Sequence, residues 1–270
     1  MNEKEILDFH YSPIQPSAKQ ASGYIDYQEI SPCRSLENLI FCYWQLKTSR
    51  PLKEDYEYRV VADGCIDIFF DLNNPVDSSV MGFCRKFTTF PIGKDFNYIG
   101  IRFFPSIFSQ LFSVNAKALS NKSTPLTEVQ PQLARLIKDS FSPSHQLHEI
   151  ASVFNNFLGQ FIKDHKFDLD GRFYDAINII LLSKGKVDIE TELNTGLSPR
   201  QLRRVFNYYI GTTPKSFSKV VRFQYILNAS HSNKDLKTNK YYYEMGYYDQ
   251  AHFIKEFKNY YGVTPKEAFL

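Results

Sequence analysis

The sequence predicts an α+β chain in two parts: a β-rich, barrel-like N-terminal domain with added helices, then an all-α domain. Three observations carry this. In the first third, short runs of Val, Ile, Phe and Tyr alternate with Gly, Pro and Asp, as short strands joined by turns require. From Arg172 onward apolar residues recur at helical spacing. The final third also holds an imperfect repeat, in which Leu202/Phe253, Phe206/Phe257, Gly211/Gly262 and Thr213-Pro214/Thr264-Pro265 share one offset of 51 positions. A length of 270 residues makes two domains the default expectation, divided as 1–167, a linker at 168–171, and 172–270.

Tyr56 to Ala62 and Cys65 to Leu72 read as two strands joined by Asp63-Gly64, a strong hairpin signal. Phe41 to Leu46 and Tyr98 to Phe103 are further strands of a curled sheet or small barrel. Helices are expected over Pro105 to Phe112, Pro131 to Ser140 and Gln146 to Lys163, the last with Leu147, Ile150, Ala151, Phe154 and Leu158 on one face. Past the Asp168 to Gly171 linker, Phe173 to Lys184 forms a helix closed by Gly185, and Val187 to Asn194 a short one. Ser198-Pro199 with Gln201 is a capping box that starts a helix running to about Ile210. Thr213-Pro214 opens a long strut to Ala229. A second unit begins near Asn239, Asp249 caps its second helix, and Thr264-Pro265-Lys266-Glu267 is another capping box.

The net charge of +3 hides an asymmetry. From Gly171 onward there are 15 Lys and Arg against 9 Asp and Glu, while the preceding part holds 17 against 20. Positive charge is concentrated on the repeat, as a phosphate-binding surface requires. No stretch is apolar for long enough to span a bilayer and no signal-like segment follows Met1, so a cytoplasmic protein is expected. Cys33, Cys42, Cys65 and Cys84 show no metal-ligand spacing and read as small apolar core residues.

On the helix after Ser198, Leu202, Val205, Phe206 and Tyr209 fall on one side, and Arg200, Arg203, Arg204 and Asn207 on the other. The Arg fork can bond O6 and N7 of guanine together while its charge attracts phosphate. On the helix after Asp249, Phe253, Phe257, Tyr260 and Tyr261 form the core side. That leaves Ala251, His252, Lys255 and Lys258 outward, with Gln250 at the first turn and Ile254 where the first unit has Arg203. A solvated charged face explains one such helix; a capped turn plus repetition points to two helix-turn-helix units reading double-stranded DNA.

The region from about Arg172 to Leu270 resembles the DNA-binding domain of AraC-type (AraC/XylS) bacterial transcription regulators. The carrying residues are GLSPRQLRRVF from Gly196, TPKSF from Thr213 with Arg222 in the helix that follows, and GYYDQAHFIKEFKNYYGVTP from Gly246 to Pro265. The resemblance implies seven helices and two recognition helices, at about 198–210 and 249–261, in successive major grooves. By motif position it places base contacts on Arg200, Arg203 and Arg204, and on Gln250, His252 and Lys255. The chain departs from the pattern at Thr191-Glu192 and Tyr241-Tyr242, where a small Ala normally lets the scaffold helices pack closely, so Tyr242 should crowd the second unit. Less specifically, ADGCIDIFFDL from Ala62, IGIRFFPSIFSQLFSV from Ile99 and STPLTEV from Ser123 resemble N-terminal domains of the same family, implying a regulatory or oligomerising role.

An enzyme is the first alternative. A DNA-repair enzyme with an attached reader needs a reactive or zinc-binding Cys cluster that these four do not form, and no dinucleotide, P-loop or H-E-x-x-H motif is present. Asp63 and Asp67 are explained by the hairpin turn and an alternating strand, and His145 and His148 as surface histidines. The second alternative is a sensor or interaction protein with degenerate helix-turn-helix units. The expectation is a DNA-binding regulator requiring no cofactor and no metal, controlled through its N-terminal domain. A small-molecule effector, RNA polymerase and a second copy of the chain are its open partners.

Overall fold

The computed structural model describes residues 11–16, 23–163, 165, 167, 170–232 and 241–269. Eight strands form two layers. Six of them, β1 (Ile25–Ile30), β2 (Ile40–Thr48), β7 (Asn97–Phe103), β4 (Ile66–Asp71), β5 (Asn74–Met81) and β8 (Ser123–Pro125), lie in that order in an antiparallel sheet. The remaining two, β3 (Glu57–Val60) and β6 (Thr88–Pro91), pair with each other.

Alternation sorts the residues of the large sheet between two cores. Ile66, Ile68 and Phe70 of β4, with Ile99, Ile101 and Phe103 of β7, face the helical layer. There Tyr43 stacks on Phe154 with ring centroids 5.9 Å apart, and Phe70 stacks on Phe141 at 5.7 Å. Cys42, Trp44 and Leu46 of β2 face the β3–β6 layer and pack with Tyr58 and Phe96. Gly100 is required here: a Cβ at that position would lie 2.0 Å from the Trp44 ring.

The expected hairpin over residues 56–72 does not form. β3 pairs with β6 and β4 with β5 and β7, so Asp63-Gly64 carries the chain from one layer to the other. Gly64 keeps the positive φ of 79° that the dipeptide signals. The Asp63 side chain, however, turns inward toward Arg102 and accepts from the Cys65 N–H.

The helices beside the sheet are α1 (Ile107–Phe112), α2 (Ala116–Leu119), α3 (Leu126–Val129), α4 (Pro131–Ser140) and α5 (Leu147–Lys163). Those that follow are α6 (Gly171–Leu182), α7 (Pro199–Tyr209), α8 (Pro214–Ser232), α9 (Tyr241–Glu244), α10 (Gln250–Tyr261) and α11 (Pro265–Ala268). Of the expected linker, residues 168 and 169 lie outside the described residues; Asp170 accepts from the Arg172 N–H as N-cap and Gly171 opens α6. The strut α8 runs three residues past its expected end, and Asn239, the expected start of the second unit, also lies outside the described residues.

Residues 187–194 form turns instead of a helix, so the described residues of this half hold six helices, not seven. At Asp188 the carboxylate accepts from the Glu190 and Thr191 N–H groups, while Glu192 accepts from the Asp188 N–H. This is an N-cap arrangement, but the chain leaves it after the single turn at residues 189–192.

One apolar cluster joins both halves. It runs from Phe103 of the sheet through Phe108 of α1 to Phe173 and Tyr174 of α6, Phe206 of α7, Phe217 of α8 and Phe257 of α10. Each fully buried Phe in this path contributes roughly 1.5–3 kcal/mol.

Candidate nucleic-acid interface

Each unit places a capped helix behind a glycine turn. Ahead of α7, Gly196 takes φ 79°, Ser198 accepts from the Gln201 N–H and Gln201 returns a bond to the Ser198 N–H, completing the capping box. Ahead of α10, Gly246 takes φ 76° and Asp249 accepts from the His252 N–H at 2.7 Å. Thr264 and Glu267 form the second capping box at α11. These termini follow the sequence expectation because capping is a contact between residues three apart.

Burial then separates the faces. Leu202 and Phe206 anchor α7 in the core, leaving Arg200, Arg203 and Arg204 exposed along one side. Asn207 is half-buried and donates its amide to the Arg203 carbonyl at 2.7 Å. On α10, Phe257, Tyr260 and Tyr261 are buried, while Gln250, His252, Lys255 and Lys258 are exposed. Tyr242 is accommodated by stacking its ring on Phe253, 6.1 Å away and 10° from parallel.

The strut joins the units through a buried polar centre. Glu256 of α10 receives Arg222 of α8 at 2.7 Å, Lys219 at 2.7 Å and the Tyr247 hydroxyl at 2.8 Å, and the Arg222 guanidinium lies 4.1 Å over the Tyr247 ring. Burial pushes Glu256 up, but the Lys219, Arg222 and Tyr247 interactions outweigh it and leave the carboxyl below its usual range. Helical spacing flags Phe253 and Phe257 as core and passes over Glu256; a lone Glu among aromatics opposite Arg222 in the strut was the available signal.

Residues 194–269 match a family model described as a helix-turn-helix domain. The C-terminal region is an AraC-type helix-turn-helix domain. With this AraC-type domain the chain is a DNA-binding transcription regulator. Residues 28–125 match a family described as a domain of unknown function, DUF6597. No curated protein sequence matches the chain. Among solved structures the chain is similar to ToxT from Vibrio cholerae bound to (E)-4-(8-methylnaphthalen-1-yl)but-3-enoic acid, with 12% identity over 92% of this chain and 98% of that one and a TM-score of 0.40. It is also similar to unsaturated fatty acid bound wild-type ToxT, with 11% identity over 92% and 97% of the two chains and a TM-score of 0.37.

The β-rich domain grips the AraC-type domain at three places. At the first unit, α7 packs on α1 and α2, and Ser120 Oγ donates to the Gly211 carbonyl at 2.7 Å. At the strut, buried Gln224 accepts from the Ile14 N–H and donates to the Ala62 carbonyl at 2.8 Å, and Gln15 bonds both the N–H and the carbonyl of Val61. At the second unit, the Ala62 and Phe87 N–H groups donate to the Tyr260 and Asn259 carbonyls. The last four carbonyls of a helix lack intrahelical donors, so the β-rich domain caps the C-terminus of α10.

The carboxylates of Asp63 and Asp67, assigned from sequence to a hairpin turn and a strand, instead meet at Arg102. Asp67 and Arg102 are cross-strand partners in β4 and β7, with Nη2 2.9 Å from Oδ2; Asp63 lies 3.4 Å from Nε. The signal was two charged residues at inward positions of apolar strands. Cys42, Cys65 and Cys84 are buried free thiols and Cys33 is half-buried; burial pushes the Cys84 thiol up to about 12 and holds Cys42 and Cys65 protonated. His145 faces Ser142, and among the described residues no three His, Cys, Asp or Glu side chains are grouped to hold a metal. No described helix is long and apolar enough to cross a membrane.

Proposed function

We propose that this regulator is non-enzymatic, acts in the cytoplasm and reads its site by inserting α7 and α10 into successive major grooves, with residues 1–167 controlling the reader at 172–270. Arg200, Arg203 and Arg204 are assigned to bases and phosphates of one groove, with Asn207 at its edge. Gln250, His252, Lys255 and Lys258 serve the next. The observation that carries this reading is the pair of capped helices with exposed polar and basic faces, fixed to one strut through Phe206–Phe217 and Arg222–Glu256. Selection of bound fragments from genomic DNA, followed by footprinting, tests it: two protected segments about ten base pairs apart per chain are expected, and a single short protected patch would overturn it.

A second reading, an interaction protein with degenerate units, draws on residues 187–194, which turn where a scaffold helix is expected. Binding to nonspecific duplex that weakens steeply with salt excludes it, because a packing module releases no counterions.

A further inference from the structure

Between the large sheet and the β3–β6 layer lies a cavity of about 140 Å³. Its walls are mainly apolar and aromatic, including Trp44, Tyr58, Val60 and Phe69, with Asp63 and Asp67 at its charged end. Arg102 reaches it from β7 and is 2% exposed. Its Nε and Nη2 bond Asp67 at 3.2 and 2.9 Å. Among the described residues Nη1 donates no hydrogen bond, and the Glu29 carboxylate, at 3.7 Å, lies beyond bonding distance. A buried donor left without a partner is costly unless an acceptor reaches it.

The charge around that donor decides what the acceptor is. Asp67 is filled by Arg102 and by the Trp44 Nε1–H at 3.1 Å. Asp63 is filled by Gln15 at 2.8 Å and the Cys65 N–H at 3.0 Å. With Glu29, three carboxylates face one guanidinium among the described residues. Burial, opposed by Arg102 and reinforced by Asp63, pushes the Asp67 carboxyl up to about 6. A further anion is therefore disfavoured, while an ammonium would turn donors toward a donor.

We propose that this cavity binds a small uncharged molecule with an apolar, benzene-sized body and one hydrogen-bond acceptor, an alcohol, phenol or ketone, seated on Arg102 Nη1. The size follows from the volume, since an apolar cavity of about 150 Å³ accommodates benzene. The occupant would also touch the reader's support. Val61, Asp63 and Cys65 line the cavity, while the same stretch holds Gln15 and Gln224 and sets Gly64 against the Phe217 ring. This deepens the reading of the N-terminal domain as the controlling one.

Trp44 is the sole tryptophan and lines the cavity, so its fluorescence reports occupancy with no DNA present; failure here leaves the DNA-binding reading untouched. The full chain is titrated near neutral pH with three molecules of one shape: benzyl alcohol, benzoate and benzylamine. Benzyl alcohol is expected to change Trp44 emission saturably, and the two charged probes to bind at least tenfold more weakly. Arg102→Lys is expected to lose at least tenfold in affinity. Because that variant disturbs the carboxylate cluster, Val60→Phe, which fills the cavity and leaves the cluster intact, is measured beside it and is expected to abolish the response while melting cooperatively. Benzoate or benzylamine binding as tightly as the alcohol, no response to any probe, or unchanged binding in Val60→Phe would each overturn the proposal.

Discussion

Arg204 and Lys255 stand on comparable exposed helix faces, yet their truncation is expected to fail in different ways. A guanidinium fork engaging guanine edges is specific, so Arg204→Ala should cost about 1–3 kcal/mol on the cognate site and relax base preference there. Lys255 is a point charge on a flexible stem; Lys255→Ala should weaken binding to all sequences alike and reduce the salt slope by about one. Base readout is expected to be carried mainly by α7; both variants measured on cognate and scrambled duplexes at two salt concentrations test this, and a larger loss of specificity from Lys255→Ala would overturn it. Glu256 belongs to stability instead. Removing it strands Arg222 in a largely buried position, so Glu256→Ala should destabilise by about 3–5 kcal/mol in denaturant unfolding. Since its carboxyl is held below the usual range in the folded chain, its contribution is complete above the unfolded value and fades as pH falls through the lowered one. The gap between wild type and Glu256→Gln should accordingly close at acid pH, and a gap that widens would contradict the assignment.

At the scale of elements, the strut α8 spans 19 residues, or about 28 Å at 1.5 Å per residue, and on the proposed function its length sets the spacing of α7 and α10 on DNA. Helix caps contribute separately: Ser198→Ala and Thr264→Ala should each cost about 1 kcal/mol, read as a lowered denaturation midpoint with unchanged slope. Such termini were legible in sequence, as were β2, β7 and α4, because the groups that decide them sit within a few residues of one another. Asp63-Gly64 misled for the opposite reason. The dipeptide fixes a turn, but whether the flanking strands pair depends on β6 and β7, which arrive tens of residues later. At residues 187–194 the local signal was a true cap, Asp188 with Glu192, but it opens one turn and no helix follows. The two faces of α7 and α10 were readable from periodicity alone. The grip of the β-rich domain on them was not, since it runs through Ser120, Gln15 and Gln224, polar residues with no pattern of their own.

For the whole molecule, a single apolar cluster through both halves means that neither half is a closed core. Heating should therefore give one cooperative calorimetric transition, and two well-separated transitions would show the halves to be independent. Deletion of residues 1–170 should uncover Phe206, Phe217 and the end of α10, changing operator affinity as well as solubility; equal affinity would argue against control from the N-terminal side. The contact at α10 has one more property. Two of its bonds run from main chain to main chain, Ala62 to Tyr260 and Phe87 to Asn259, beside a third from the Asn259 side-chain amide to the Arg85 carbonyl. Nineteen of the twenty residues supply the same N–H, so these two bonds tolerate substitution at Ala62 and Phe87, where proline alone removes the donor. The tie between the β-rich domain and α10 is thus written mainly in the part of the polymer that substitution rarely alters.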